Sequence, residues 1–258
     1  MNQKERFDLV VSLGETLLSN GGEISRTNEL MYLAAEQFGL EQFNAFTIAN
    51  GVFVSALVDG QQCACQVRHV PLTSIHLGRV EALNELSRHI SAGTVTPEQA
   101  RDAVDRIRAI RGARPQSQIL AAAVGSCFFC LIFGGGWLDC AAAFCTGILL
   151  CVFSVFVCSR WSAPKVMTYL ISAAFATLVC CISWHFGFGS QLDKIIIGTI
   201  FQLVPGVPFT NAVRNFMEND YIAGLVRLTD AVLIAGGIAA GVGCVLLMWN
   251  AAFGGILL

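Results

Sequence analysis

The chain has 258 residues, a mean hydropathy of +0.63, only 13% charged residues and a formal net charge of −2. That is too apolar for an ordinary soluble domain, and no basic stripe suggests a nucleic-acid partner. Charge is dense up to Arg114 and sparse from Pro115 on, which predicts an α+β cytoplasmic domain over residues 1–114 and an all-α integral membrane domain over 115–258.

The N-terminal run Met1-Asn-Gln-Lys-Glu-Arg-Phe-Asp-Leu-Val10 has no continuous apolar core followed by a cleavage site, so no secretory signal is expected. Phe7, Val10, Leu13, Leu17 and Leu18 recur at helical spacing and predict a helix over Glu5 to Ser19, ended by Asn20-Gly21-Gly22. A second helix carries Ile24, Leu30, Met31, Ala34, Ala35 and Phe38 and stops at Gly39. Arg26, in its first turn, is a weak functional candidate beside a plain surface or salt-bridge role. The period then changes to two. Strands are predicted over 45–49, 52–58 and 63–70, with Asp59-Gly60 as a hairpin turn. Leu77, Val80, Leu83, Leu86 and Ile90 predict a further helix, closed by Gly93. Thr96-Pro97-Glu98-Gln99 is a capping box that opens the last helix of this part. The domain has no phosphate loop, no GxSxG and no HExxH, and His69, His76 and His89 are scattered, so no enzyme is expected.

Of the eleven cysteines, nine lie in apolar runs between Cys127 and Cys244, where Cys acts as a small hydrophobe. Cys127-x-x-Cys130 has no second pair or nearby His, so neither a metal nor a cofactor is expected. Five spans are predicted: 119–133, 140–159, 166–186, 195–204 and 228–249. Arg101, Arg106, Arg108, Arg111 and Arg114 precede the first, Arg160 and Lys165 follow the second, and Arg214 and Arg227 separate the last two. That excess places the N-terminus inside, and with five spans the tail over 251–258 outside. Gly236-Gly237, Gly241 and Gly243 predict a small-residue face for close helix packing.

The fourth span meets Pro205 and Pro208, with Gly206 between them, and is expected to break there. The carbonyls of Phe201 and Val204 should lose their donors, and a new helix should start with Thr210 as N-cap and Asn211, Arg214 and Glu218 on one face. Free N–H groups with an Arg one turn on suit a small anion or carboxylate. A proline-rich membrane exit leading to an amphipathic connector fits the same pattern. The candidate substrate-binding residues are therefore Pro205, Gly206, Pro208, Thr210, Asn211 and Arg214. Ionisable groups at membrane depth add Asp220, Arg227, Asp230 and Asp139 as candidates for coupling or gating, against an interfacial pair for Arg227–Asp230 and a loop role for Asp139.

Four segments carry a resemblance: Leu17-Leu-Ser-Asn-Gly-Gly-Glu-Ile-Ser-Arg26, Leu83-Asn-Glu-Leu-Ser-Arg88, Phe133-Gly-Gly-Gly-Trp-Leu-Asp139, and Leu203-Val-Pro-Gly-Val-Pro-Phe-Thr-Asn-Ala-Val-Arg214 followed by Gly224-Leu-Val-Arg227. Together they resemble the threonine/serine exporter family over nearly the whole chain. Full-length members of that family have two membrane halves, and this chain corresponds to the first. It is similar to the split form, in which a larger subunit with the cytoplasmic domain works with a separate small membrane subunit. The split form is associated with succinate export and the one-chain form with threonine and serine export.

The resemblance implies a bacterial inner-membrane exporter of small carboxylate metabolites, driven by the proton gradient. Its partners would be the substrate, the lipid bilayer and the small subunit, and self-association into a homo-oligomer is compatible with this. The rival expectations are a membrane-anchored enzyme or sensor using the cytoplasmic domain, and a scaffold for the membrane partner.

Overall fold

The computed structural model describes residues 1–58, 62–70, 76–158 and 163–254, with Gln62 and Cys63 described by backbone alone. The expected hairpin turn at Asp59-Gly60, the charges of Arg160 and the last four residues of the tail lie outside the described residues. The chain divides into two compact units, one of residues 1–112 and 220–226, the other of residues 113–219 and 227–258.

The first unit runs α1 (Gln3–Ser19), α2 (Ile24–Gln37), β1 (Glu41–Ile48), β2 (Gly51–Val58), β3 (Gln62–His69), α3 (Leu77–Ser91) and α4 (Pro97–Arg108). Asn2 and Glu5 form a capping box that starts α1, and Thr96 and Gln99 form the one expected at α4. The three strands are antiparallel in the order β1-β2-β3. Val52, Val54, Ala56 and Val58 alternate inward along β2, as period two requires. They share one core with Phe7, Val10, Leu13 and Leu17 of α1 and with Leu30 and Met31 of α2. β1 begins four residues earlier than expected, at Glu41, because its polar first half pairs at the sheet edge across an irregular register between Glu41 and Asn44. Ala223 also belongs to this core.

The second unit runs α5 (Pro115–Ile132), α6 (Trp137–Val152) with a π-helical turn Phe153–Val157, α7 (Lys165–His185), α8 (Leu192–Ile200) with a 3-10 turn Phe201–Leu203, and α9 (Gly206–Met217). α10 (Tyr221–Phe253) belongs to this unit from Arg227 on. Among the described residues four helices are long and apolar enough to cross a membrane, and the pair α8–α9, bent by 59°, makes a fifth candidate. Among the described residues the protein is thus mostly helical, with four to five apolar candidate spans and one small sheet. At 33 residues α10 is about 50 Å long, well over the ~30 Å of a hydrocarbon core.

α8 lies among α5, α6 and α7, with Ile195 and Thr199 fully buried. Close approach depends on missing side chains. A Cβ at Gly198 would meet the Ser126 carbonyl oxygen at 2.8 Å, and one at Gly147 would overlap the Ser126 hydroxyl. Gly237 and Gly241 face α7 in the way the small-residue face predicts, but Gly236 and Gly243 face open space. The helical period allows only two of the four to point at one neighbour.

Candidate functional site

The site is built on a half-helix. α8 and its 3-10 turn have nine and three residues, about 20 Å together, too short for a span. Its end is held on several sides. Phe201 stacks on Phe129 of α5 with ring centroids 3.5 Å apart. Thr199 Oγ1 and Thr146 Oγ1 of α6 share a buried hydrogen bond of 2.6 Å, and the Cys180 thiol of α7 donates to Thr199 Oγ1 at 3.7 Å. Leu203 packs with Leu150, Ala173, Ala176, Ile234 and Ile238.

The break falls at Val204–Pro205, as expected, but the helix restarts sooner than expected. Pro205 is the N-cap residue of α9, Gly206 opens the helix, and Pro208 sits in its first turn. Thr210 is not the N-cap. It lies inside α9, and its hydroxyl donates back to the carbonyls of Gly206 and Val207, both at 3.1 Å. Proline is tolerated in a first turn because no N–H is needed there, so Pro208 begins the helix instead of delaying it.

The carbonyls expected to be orphaned are also partnered. Phe201 O accepts from Val204 N at 3.1 Å, and Val204 O accepts from Gly206 N at 2.8 Å. With Phe209 N–H taken by Pro205 O and Pro208 lacking a donor, the first turn offers the Val207 N–H and not a set of free groups.

The faces of α9 separate the candidates. Asn211 is half-buried and Thr210 and Arg214 are exposed. Arg214 Nε donates to Glu218 Oε1 at 3.0 Å, along the outer face. Asn215, one turn after Asn211 and only 8% exposed, shares the inner face with Ala212. It escaped the sequence reading, although the i, i+4 spacing of two asparagines on an otherwise apolar helix was a usable signal.

Asp139 is fully buried in the first turn of α6. Its carboxylate accepts from Gly136 N at 2.9 Å, Ser190 N at 2.6 Å and Gln191 N at 3.0 Å, with Ser190 Oγ at 3.3 Å. It thereby ties the glycine turn before α6 to the turn before α8. Gly189, at φ +108°, is required there, since a side chain would also overlap Ile195.

Arg227 and Asp230 lie half-buried on the face of α10 that carries Ala231 and Ile234 inward. No ion pair joins them among the described residues, and Tyr169 of α7 packs against the buried cluster that holds Ile234. Tyr169 is a second group that sequence reasoning missed. Asp220 caps α10, its Oδ1 accepting from Ala223 N at 3.2 Å. No hydrogen bond or ion pair joins Asn211 to Asp230 among the described residues, so the substrate and coupling candidates stand as two separate groups.

Comparison with known proteins adds a family. The model described as "Putative threonine/serine exporter" matches residues 8–249. The chain is 22% identical over 251 residues to the "Threonine/serine exporter" of Corynebacterium glutamicum, covering 92% of this chain and 50% of that protein. It is 24% identical over 247 residues to the "Probable succinate transporter subunit YjjP" of Escherichia coli, covering 94% of each. It thus spans about half the length of the first relative and nearly all of the second. No solved structure matches.

Proposed function

The chain belongs to the threonine/serine exporter family, and on that premise we propose that it is an exporter subunit for small carboxylate metabolites, either a succinate-type dicarboxylate or threonine and serine. The family is one of transporters and not enzymes, and the chain is a multi-pass membrane protein. In this reading the membrane is the bacterial inner membrane, the first unit is cytoplasmic, and a separate small membrane subunit completes the carrier. The proton gradient drives export.

One observation carries the reading: a half-helix, α8, sits among three other apolar helices and breaks into α9 with polar side chains turned inward. Transporters place substrates at such interruptions, where unwound backbone and helix ends meet at mid-membrane. Asn211 and Asn215 supply amide donors to a carboxylate, the Val207 N–H adds a backbone donor, and Arg214 supplies charge in the last turn of the same helix. Pro205, Gly206 and Pro208 shape the break, and Thr210 stiffens its first turn.

Asp230, beside Arg227 and Tyr169, carries the coupling proton. Asp220 and Asp139 hold the elements on which these groups sit.

Two variants test this in proteoliposomes under an imposed pH gradient. Asn211→Leu is expected to lower export about tenfold at equal insertion, the scale of one hydrogen bond to a charged group. Export within twofold of wild type would remove Asn211 from the site. Asp230→Asn cannot release a proton, so its export should no longer respond to the gradient; an unchanged response would move coupling elsewhere. Arg214→Lys keeps the charge but loses the two-pronged fit to a carboxylate, and its export reports whether Arg214 touches substrate.

A further inference from the structure

The first unit contains a cavity of about 270 Å³ between α2 and α3. Leu30 and Leu33 line its apolar side, and Arg26, Glu29, Asn84, Ser87, Arg88 and Ser91 supply its polar rim. α2 and α3 are 39 residues apart in sequence, from the end of one to the start of the other, and pack directly on one another. Each contributes one guanidinium.

The two arginines differ in what balances them. Arg26 Nη1 holds Glu29 Oε2 at 3.0 Å, and both line the cavity. Arg88 holds Glu85, which lies outside the cavity and also pairs with His89. Each arginine is therefore balanced by one carboxylate, and of the two carboxylates only Glu29 lies on the cavity itself. A guanidinium held at one nitrogen still presents further N–H groups in a planar fork. Beside it, the Asn84 and Ser87 side chains make no hydrogen bond among the described residues. Ser91 Oγ donates to Arg88 O at 2.9 Å and keeps its lone pairs. Two uncommitted polar side chains beside an arginine, next to an apolar wall, form a pocket for a small polar anion.

We infer that the α2–α3 cavity binds a small carboxylate ligand, with the carboxylate on Arg88, Asn84 and Ser87 and the ligand's other polar end on the Arg26–Glu29 pair. The choice of a carboxylate over other anions rests on the exporter reading, while the site itself rests on the cavity. The Arg26–Glu29 pair then sorts the ligand. A second carboxylate needs Arg26, and an ammonium needs Glu29.

The test is titration calorimetry on the full chain in detergent, with succinate, L-threonine, L-serine and inorganic phosphate. At least one carboxylate should bind, and Arg88→Gln should weaken it at least about tenfold, the loss of one charge-assisted contact. Ser87→Trp, which fills the cavity from a half-exposed position, should do the same without removing charge. Arg26→Gln should weaken succinate selectively, and Glu29→Gln an amino acid.

Wild-type affinity in both Arg88→Gln and Ser87→Trp overturns the site, as does the absence of binding by any probe. Tighter binding of phosphate than of every carboxylate overturns the ligand class. Absent export with binding lost in both variants would instead overturn the exporter reading and leave the site standing.

Discussion

Asp139→Ala is expected to destabilise the membrane unit by about 3–5 kcal/mol, the scale seen when a buried charge partner is removed. The carboxylate is fully buried and accepts from three backbone N–H groups and one hydroxyl. Alanine leaves those N–H groups without the acceptor that they share in the fold. Asn keeps one acceptor oxygen and should lose roughly half as much. Thermal unfolding of the detergent-solubilised chain, followed by tryptophan fluorescence, gives the order wild type, Asn, Ala. An alanine variant that melts with wild type but exports nothing would reverse the assignment, making Asp139 a gate and not a clamp.

Gly241→Ala should be nearly as damaging, although it adds one methyl group. Its Cβ would overlap the Leu170 carbonyl oxygen and lie 3.0 Å from Ala174 N, both backbone atoms of α7. Side chains can swing aside, but a packed helix backbone must move as a body. Overpacking of this kind costs about 1–3 kcal/mol and more when backbone is the obstacle. Gly243→Ala, two residues on, meets nothing within 4 Å. There the substitution should stabilise by up to about 1 kcal/mol through helix propensity alone. Measured side by side, the two variants should shift the melting midpoint in opposite directions. Equal shifts would mean that α10 does not approach α7 through Gly241.

The legible part of this sequence was what local chemistry dictates. The capping box at Thr96, the inward alternation from Val52 to Val58 and the break at Pro205 each depend on a few neighbouring residues. The restart at Gly206 was misread because two prolines look like an interruption, whereas the first turn of a helix accepts them. Asp139 looked like a loop residue because three glycines precede it, yet Trp137 already begins α6. The Thr146–Thr199 bond spans 53 residues and leaves no periodic trace. Neither does the meeting of Arg26 with Arg88 around one cavity, since each is an ordinary surface arginine on its own helix. Tyr169 sits in an apolar helix where one polar residue carries no pattern until its neighbours are known, whereas Asn215 could have been read from its spacing with Asn211.

The most direct test of the exporter reading is transport itself. Proteoliposomes of fixed protein orientation would hold this chain, alone and with a candidate small membrane subunit, under an imposed proton gradient. Labelled succinate and labelled threonine would be followed separately. The account predicts gradient-dependent movement of one label, lost in Asn211→Leu and uncoupled from the gradient in Asp230→Asn. Folded, inserted protein that moves neither label in either preparation would contradict it.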